Sequence, residues 1–280
     1  DDDFYLPSAV EASIEFLEKH SDYSACICRP AGFGYESTVG VFGVSGVYDD
    51  MNNDYRVVSD APGERMREHM GRYMPSTMYA VLRSKNWSKT IEACVKKEFP
   101  VFAMAELQME LSTAYLGKSA VLPILGWLKS TELEQTQGPD ISLLRTNEFQ
   151  DLWSLESCNS DFRSEFIETM ADVLQKVDQR SHSDVARDIE ATMDDYVAWL
   201  DKYYGKTIPF RGARDFLKRI LPASVQDQLR TLRLTYTKRK RKSLNALVSQ
   251  IMDSGTYVNT KELEEIILFV KRFHAHENID

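Results

Sequence analysis

The sequence predicts an α/β N-terminal part, residues 1–135, followed by an all-α C-terminal region, residues 136–280. Three observations predict it. Before residue 130, short β-like runs punctuated by Gly and Pro alternate with amphipathic helical stretches. After residue 140, seven successive segments suit helices and strand signals almost vanish. Between them, residues 131–140 are polar and contain a Gly138-Pro139 pair, which marks a boundary.

In chain order, residues 5–20 read as a helix entered through Pro7, whose missing N–H is harmless in a first turn. Val10, Ile14 and Leu17 form its apolar stripe, with Phe16 beside them. Residues 24–30 read as a strand. In 32–48, Gly and Val recur at short spacing, which suggests a hairpin. Asp49–Asp54 is a polar turn, and Tyr55–Val58 a further strand. A helix over 61–72 opens with Pro62, Tyr79–Arg83 is a short strand, and 86–98 is a helix with Ser84 and Asn86 as capping candidates. Residues 103–116 form a strong helical pattern stopped by Gly117. Ala120–Leu128 is β-like despite Pro123 and Gly126. The later helices are expected at 146–157, 160–178, 183–203, 211–220, 223–235, 241–253 and 260–275.

Composition narrows the function classes. Hydrophobic residues at 43% and charged residues at 28% are enough for a packed core and too apolar for a disordered chain. Thirteen Gly and nine Pro exclude collagen-like and low-complexity chains. The net charge of −9, from 34 basic and 43 acidic residues, argues against nucleic acid as a partner. Apolar runs fall far short of the ~20 residues that span a bilayer. Four Cys do not make a disulfide framework and suit a cytoplasmic location. The chain begins Asp1-Asp2-Asp3-Phe4, with neither Met nor a signal peptide, and reads as a fragment lacking an N-terminal portion.

The chemistry-bearing residues start at Asp1-Asp2-Asp3. Three adjacent carboxylates repel one another unless solvent or a hard cation such as Mg²⁺ or Mn²⁺ relieves them. The triplet is followed by Phe4-Tyr5-Leu6-Pro7, a helix ending Glu18-Lys19-His20-Ser21-Asp22-Tyr23, and a strand. Further on come Tyr79-Ala80-Val81-Leu82-Arg83, then Phe102-Ala103-Met104-Ala105-Glu106-Leu107 opening a helix, then Gly117-Lys118 and Ala120-Val121-Leu122-Pro123. This ordered set, over roughly residues 1–130, resembles the C-terminal portion of a GT-A-fold, family-two-like glycosyltransferase without its nucleotide-binding half. The resemblance implies a partial GT-A-like mixed sheet with helices over 1–135, and a metal-assisted, inverting transfer of sugar from a nucleotide-sugar donor to an acceptor hydroxyl. It further implies Asp1 and Asp3 as holders of Mn²⁺ or Mg²⁺ and the donor diphosphate, and Glu106 as catalytic base, with Asp2, Glu110 and Arg83 as secondary candidates. In such chemistry the cation neutralises charge on the leaving diphosphate and the carboxylate takes the acceptor's proton. The 280 residues alone are then expected to be inactive.

The chain departs from the family in having Glu106-Leu107 in place of a Glu-Asp pair and no His over 124–140. Glu110, one turn after Glu106, otherwise reads as an exposed helix charge. Cys26 and Cys28 share a strand face, but Cys94 and Cys158 are too distant for a zinc half-site, so buried thiols are expected. Gly32-Phe33-Gly34 is too short for a phosphate loop. His274-x-His276 reads as an exposed chain end. Lys238-Arg239-Lys240-Arg241-Lys242 is either a solvated helix start or a peripheral contact for anionic lipid. Trp127 and Trp153 are candidates for stacking on sugar rings, with core packing as the ordinary alternative. The rival to the enzyme is a non-catalytic, α-rich protein-interaction module.

Overall fold

A computed structural model describes residues 3–44, 55–71, 73, 79–99, 103–131, 153, 160–207 and 242–276. Six strands form one mixed sheet among these residues: β1 (Phe4–Tyr5), β2 (Tyr23–Glu36), β3 (Gly40–Val44), β4 (Val81–Leu82), β5 (Lys118–Ser130) and β6 (Lys242–Ser243). Their order is β1-β5-β2-β3-β6, with β4 also paired to β2. β2 and β5 run parallel, and the remaining strand pairs are antiparallel. Helices cover both faces: α1 (Pro7–Lys19), α2 (Pro62–Met70), α3 (Ser84–Lys96), α4 (Ala103–Leu116), α5 (Ser160–Asp178), α6 (His182–Thr207), α7 (Leu244–Asp253) and α8 (Thr260–His276).

β2 is the centre of this sheet. A sheet missing its upstream half would leave residues 24–30 at an unpaired edge. Instead they lie between β5 on one side and β4 on the other. Ala25, Cys26, Ile27 and Cys28 are all buried. A parallel strand covered on both faces shows no polar–apolar alternation, so it reads as one apolar run. The strand also continues through Gly32-Phe33-Gly34 to Glu36, where the expected hairpin forms: Val39 N–H donates to Glu36 O and Gly40 turns the chain at φ 76°.

Two apolar cores flank the sheet. One joins Ile27 and Val57 to α2, α4, α5 and α6, through Met66, Met70, Leu107, Leu111, Phe166 and Ile189 among others. The other joins Leu6, Cys28, Phe33 and Leu125 to α7 and α8, through Leu247 and Leu263. The described chain after residue 140 is mainly helical, but β6 extends the sheet beside β3 and Tyr257, between α7 and α8, bridges β5 at Ile124. No helix among the described residues is long and apolar enough to cross a membrane.

The buried face of α1 is not the stripe expected from hydrophobicity. Ala9, Ser13 and Leu17 face inward while Ile14 is 44% exposed. Small residues win because α1 lies against β2 and β5 at close range: Ser13 Oγ donates to Ala9 O and meets Cys28 Sγ at 3.3 Å. Gly126 makes room at that crossing. A Cβ there would stand 2.2 Å from Cys28 Cβ and 2.9 Å from Ala9 Cβ. Gly126→Ala is therefore expected to destabilise the fold by about 3 kcal/mol, the upper end for overpacking. A urea midpoint equal to the parent's would show that the crossing can open freely.

Local chemistry fixes the remaining joints. Pro123 and Pro30 sit where β5 bulges against β2: Cys28 faces Leu122, but Arg29 faces Leu125 and Pro30 faces Trp127. Leu6, the residue before α1, offers no side-chain cap. Glu262 of α8 supplies one from afar, its carboxylate accepting from Ser8 N–H at 3.1 Å and Ser8 Oγ–H at 2.8 Å. Arg65 on α2 is buried and clamps the end of α4. Its guanidinium donates to the carbonyls of Ala114, Tyr115, Ser59 and Asp60.

Candidate functional site

A buried group of titratable side chains lies in the first core, between α2 and α4. α2 carries His69 on its buried face, and α4 carries Glu106 in its first turn and Glu110 one turn later. Tyr55 precedes α2 and Tyr73 follows it. His69 Nε2 lies 2.8 Å from Glu110 Oε2, and Tyr55 Oη bonds His69 Nδ1. With the phenol donating to Nδ1 and Nε2–H donating to the carboxylate, every partner in this chain of three is satisfied. Tyr55, His69 and Glu110 are each under 5% exposed. Beside them, Tyr73 Oη–H donates to Glu106 Oε1, while the Tyr73 ring packs on His69 and Tyr196.

Glu106 differs from Glu110 in being only partly buried. Burial raises its pKa above the usual carboxylate range; the Tyr73 hydroxyl opposes this, the Glu110 charge adds to it, and Lys129 lowers it. Tyr73 is pushed well above an ordinary phenol, chiefly by burial and then by the charges of Glu106 and Glu110. It therefore stays a hydrogen-bond donor. The expectation that Glu106 opens a helix is met; the expectation that Glu110 is an exposed charge is overturned, because the His69 imidazole gives it a buried partner.

The acidic triplet fares differently. Asp1 and Asp2 lie outside the described residues. Asp3 stands before β1 and accepts from Trp127 Nε1–H at 3.0 Å and from Ser130 N–H at 2.9 Å. Both of its oxygens thus tie β1 to the end of β5. Among the described residues no three His, Cys, Asp or Glu side chains group closely enough to hold a metal ion. Arg83 is likewise engaged by backbone: it donates to the carbonyls of Tyr23, Leu17 and His20, closing the C-terminal end of α1.

Trp127 and Trp153 are core side chains, 1% and 3% exposed. Tyr79 covers a face of Trp127 at 3.7 Å between centroids, and Lys129 Nζ sits 5.3 Å from the same ring. Trp153 donates its indole N–H to Asp194. Neither offers a free face to a sugar. His274 is not a frayed end; it stacks on Tyr35 at 4.2 Å with rings 3° apart. Of the basic run 238–242, only Lys242 is described, exposed in β6. Cys158 also lies outside the described residues.

Cys26 and Cys28 behave as the buried thiols expected. Burial pushes Cys26 up to about 12 and raises Cys28 as well. They line a cavity of about 70 Å³ with Ser13, Tyr79 and Gly126. The thiolate is the nucleophile, so both should resist iodoacetamide at pH 8 in the native state and react on unfolding. Rapid native labelling at either position, mapped by mass spectrometry, would contradict this environment.

Sequence reasoning missed Tyr55, His69, Tyr73 and Arg65. The partners of His69 and Tyr73 on α4 are 41 and 33 positions away, so no local spacing announces them. The one available signal was placement, since Arg65 and His69 share a helix face with Met66 and Met70 close by. No family model, no curated protein and no solved structure matches this chain. The fold and site together define a mixed α/β sheet covered by helices on both faces, with a carboxylate–phenol pair and a Tyr–His–Glu chain beneath its helical layer.

Proposed function

We propose that the chain carries the acceptor side of a sugar-transfer site, with Glu106 as the base. The observation that carries the reading is the placement of Glu106: first turn of a helix, partly exposed, one oxygen held by Tyr73 and the pKa raised by burial. A carboxylate with a raised pKa is a stronger base, and its fixed oxygen orients the other. In the transfer, the acceptor oxygen bonds the anomeric carbon of a nucleotide-sugar, the bond to the diphosphate breaks, and the acceptor's proton passes to Glu106. The inverting outcome and a donor diphosphate bound near Asp1–Asp3 belong to the same proposal.

The test is nucleoside diphosphate release by the full-length protein from a panel of nucleotide-sugars, with Mn²⁺ present and absent. Glu106→Gln should lower turnover ~10²–10⁴-fold with donor affinity kept. Near-full turnover by this variant, or no release from any donor by the parent, sinks the assignment. The second reading, a non-catalytic interaction module, draws on the exposed apolar side chains of α8.

A further inference from the structure

α8 presents an outward face whose charges are segregated along its length. Glu264, Glu265, Leu268, Lys271 and Arg272 are all exposed, Leu268 by 51%. At ~100° per residue, the four charged positions fall within about 60° of Leu268 on the helix surface. Glu264 and Arg272 lie four residues either side of Leu268, and Glu265 and Lys271 lie three either side. None of the four takes part in an ion pair or side-chain hydrogen bond among the described residues. Leu263 and Val270, on the opposite side, are buried against the sheet, so the outward face is the one left over. Phe269 and Phe273 flank it, 57% and 53% exposed.

We infer that this face pairs with a second copy of the chain. The pattern is acidic in one half, basic in the other and symmetric about Leu268. Turned antiparallel about a two-fold axis at Leu268, two such helices place Glu264 opposite Lys271 of the second copy, and Glu265 opposite Arg272 of the second copy, each pair on the same side of the Leu268 line. The same contacts repeat with the copies exchanged, as an isologous interface requires. Leu268 meets its own counterpart at the axis, and the antiparallel helix dipoles run in the favourable sense. A partner with a uniformly charged surface, an anionic membrane included, would meet repulsion from one half of the face. A single helix pair with flanking Phe side chains is smaller than the ~1,200 Å² of a stable standard interface. The association is therefore weak, in the micromolar range.

The experiment is sedimentation velocity on the full chain from low micromolar to several hundred micromolar. The mass should rise towards the dimer and fall back as salt screens the pairs. Glu264→Lys with Glu265→Lys, and separately Lys271→Glu with Arg272→Glu, should each weaken self-association at least ~10-fold, because like charges then face each other. An equimolar mixture of the two double variants should restore dimerisation as a heterodimer. Leu268→Asp should also weaken it by ~10-fold or more. A parent monomeric at every concentration overturns the inference, whatever else binds this face. So does a mixture that fails to restore association, or a Leu268→Asp dimer as tight as the parent's. The mixing arm needs both variants folded, which their far-UV circular dichroism reports; should one not fold, the concentration and salt dependence of the parent decides alone.

Discussion

Replacing Arg65 with Met is expected to lower the stability of the fold by about 3–5 kcal/mol, since two buried carbonyls lose their donor at ~1–3 kcal/mol each and two half-buried ones lose a charged donor. The guanidinium reaches the carbonyls of Ala114 and Tyr115, which are among the unpaired acceptors at the negative end of α4. It also holds the carbonyls of Ser59 and Asp60, which lead into α2. Burial lowers the pKa of Arg65, so its charge is held at some expense, which Tyr115, Asp60, Glu68 and Asp178 nearby partly offset. Met retains the aliphatic stem's packing and removes the donors, so the loss isolates the hydrogen bonds. The measurement is the urea midpoint with an unchanged denaturant slope. A loss below about 1 kcal/mol would mean that water takes over the carbonyls and that α4 needs no clamp.

Glu106→Gln should separate stability from activity. The fold favours the protonated form of Glu106, because burial raises its pKa above the unfolded value. Such a group contributes stability that is full below its unfolded-state pKa, ~4.3, and is lost as pH rises through the raised folded-state value. At neutral pH the ionised carboxylate is therefore a destabilising element. Gln is neutral and still accepts from the Tyr73 hydroxyl, so the variant should be at least as stable as the parent at pH 7. Its advantage should disappear in acid, where the parent's carboxyl is already neutral. At pH 7 its turnover should be ~10²–10⁴-fold below the parent's, and the gap should narrow in acid, where the parent's own base is protonated. A variant clearly less stable than the parent at pH 7 would make Glu106 an anchor for Tyr73 and remove the base assignment.

What the sequence disclosed depended on how local the controlling physics was. α4 and α5 fall on the residues expected, 103–116 and 160–178, because helix periodicity and stop signals act within a few residues. α2 begins at Pro62 for the same reason. β2 runs well past the strand expected over 24–30 and lies inside the sheet rather than at its edge. Its glycines resemble turn signals, and its parallel partner starts at Lys118, opposite Tyr23. The stripe of α1 was displaced by one residue because close packing on Gly126 favours Ala9 and Ser13 over larger side chains. At the candidate site, the helical setting of Glu106 was legible, whereas Tyr73, His69 and the burial of Glu110 depend on contacts between α2 and α4. Asp3 could be read only as an acid; that Trp127 and Ser130 use both of its oxygens follows from the pairing of β1 with β5.

The reach of Glu262 back to Ser8 also sets a timetable for synthesis. α1, β2 and β5 leave the ribosome well before the helix that caps α1 and covers Leu6, Cys28, Phe33 and Leu125. At ~5–20 residues per second, the nascent chain waits on the order of 10 s between completing β5 and completing α8. During that interval the side of the sheet that carries Phe33 and Leu125 has α1 but lacks its cover of α7 and α8. The nascent chain is then most open to chaperone capture or to aggregation through that face, and rare codons between the two elements would lengthen the exposure.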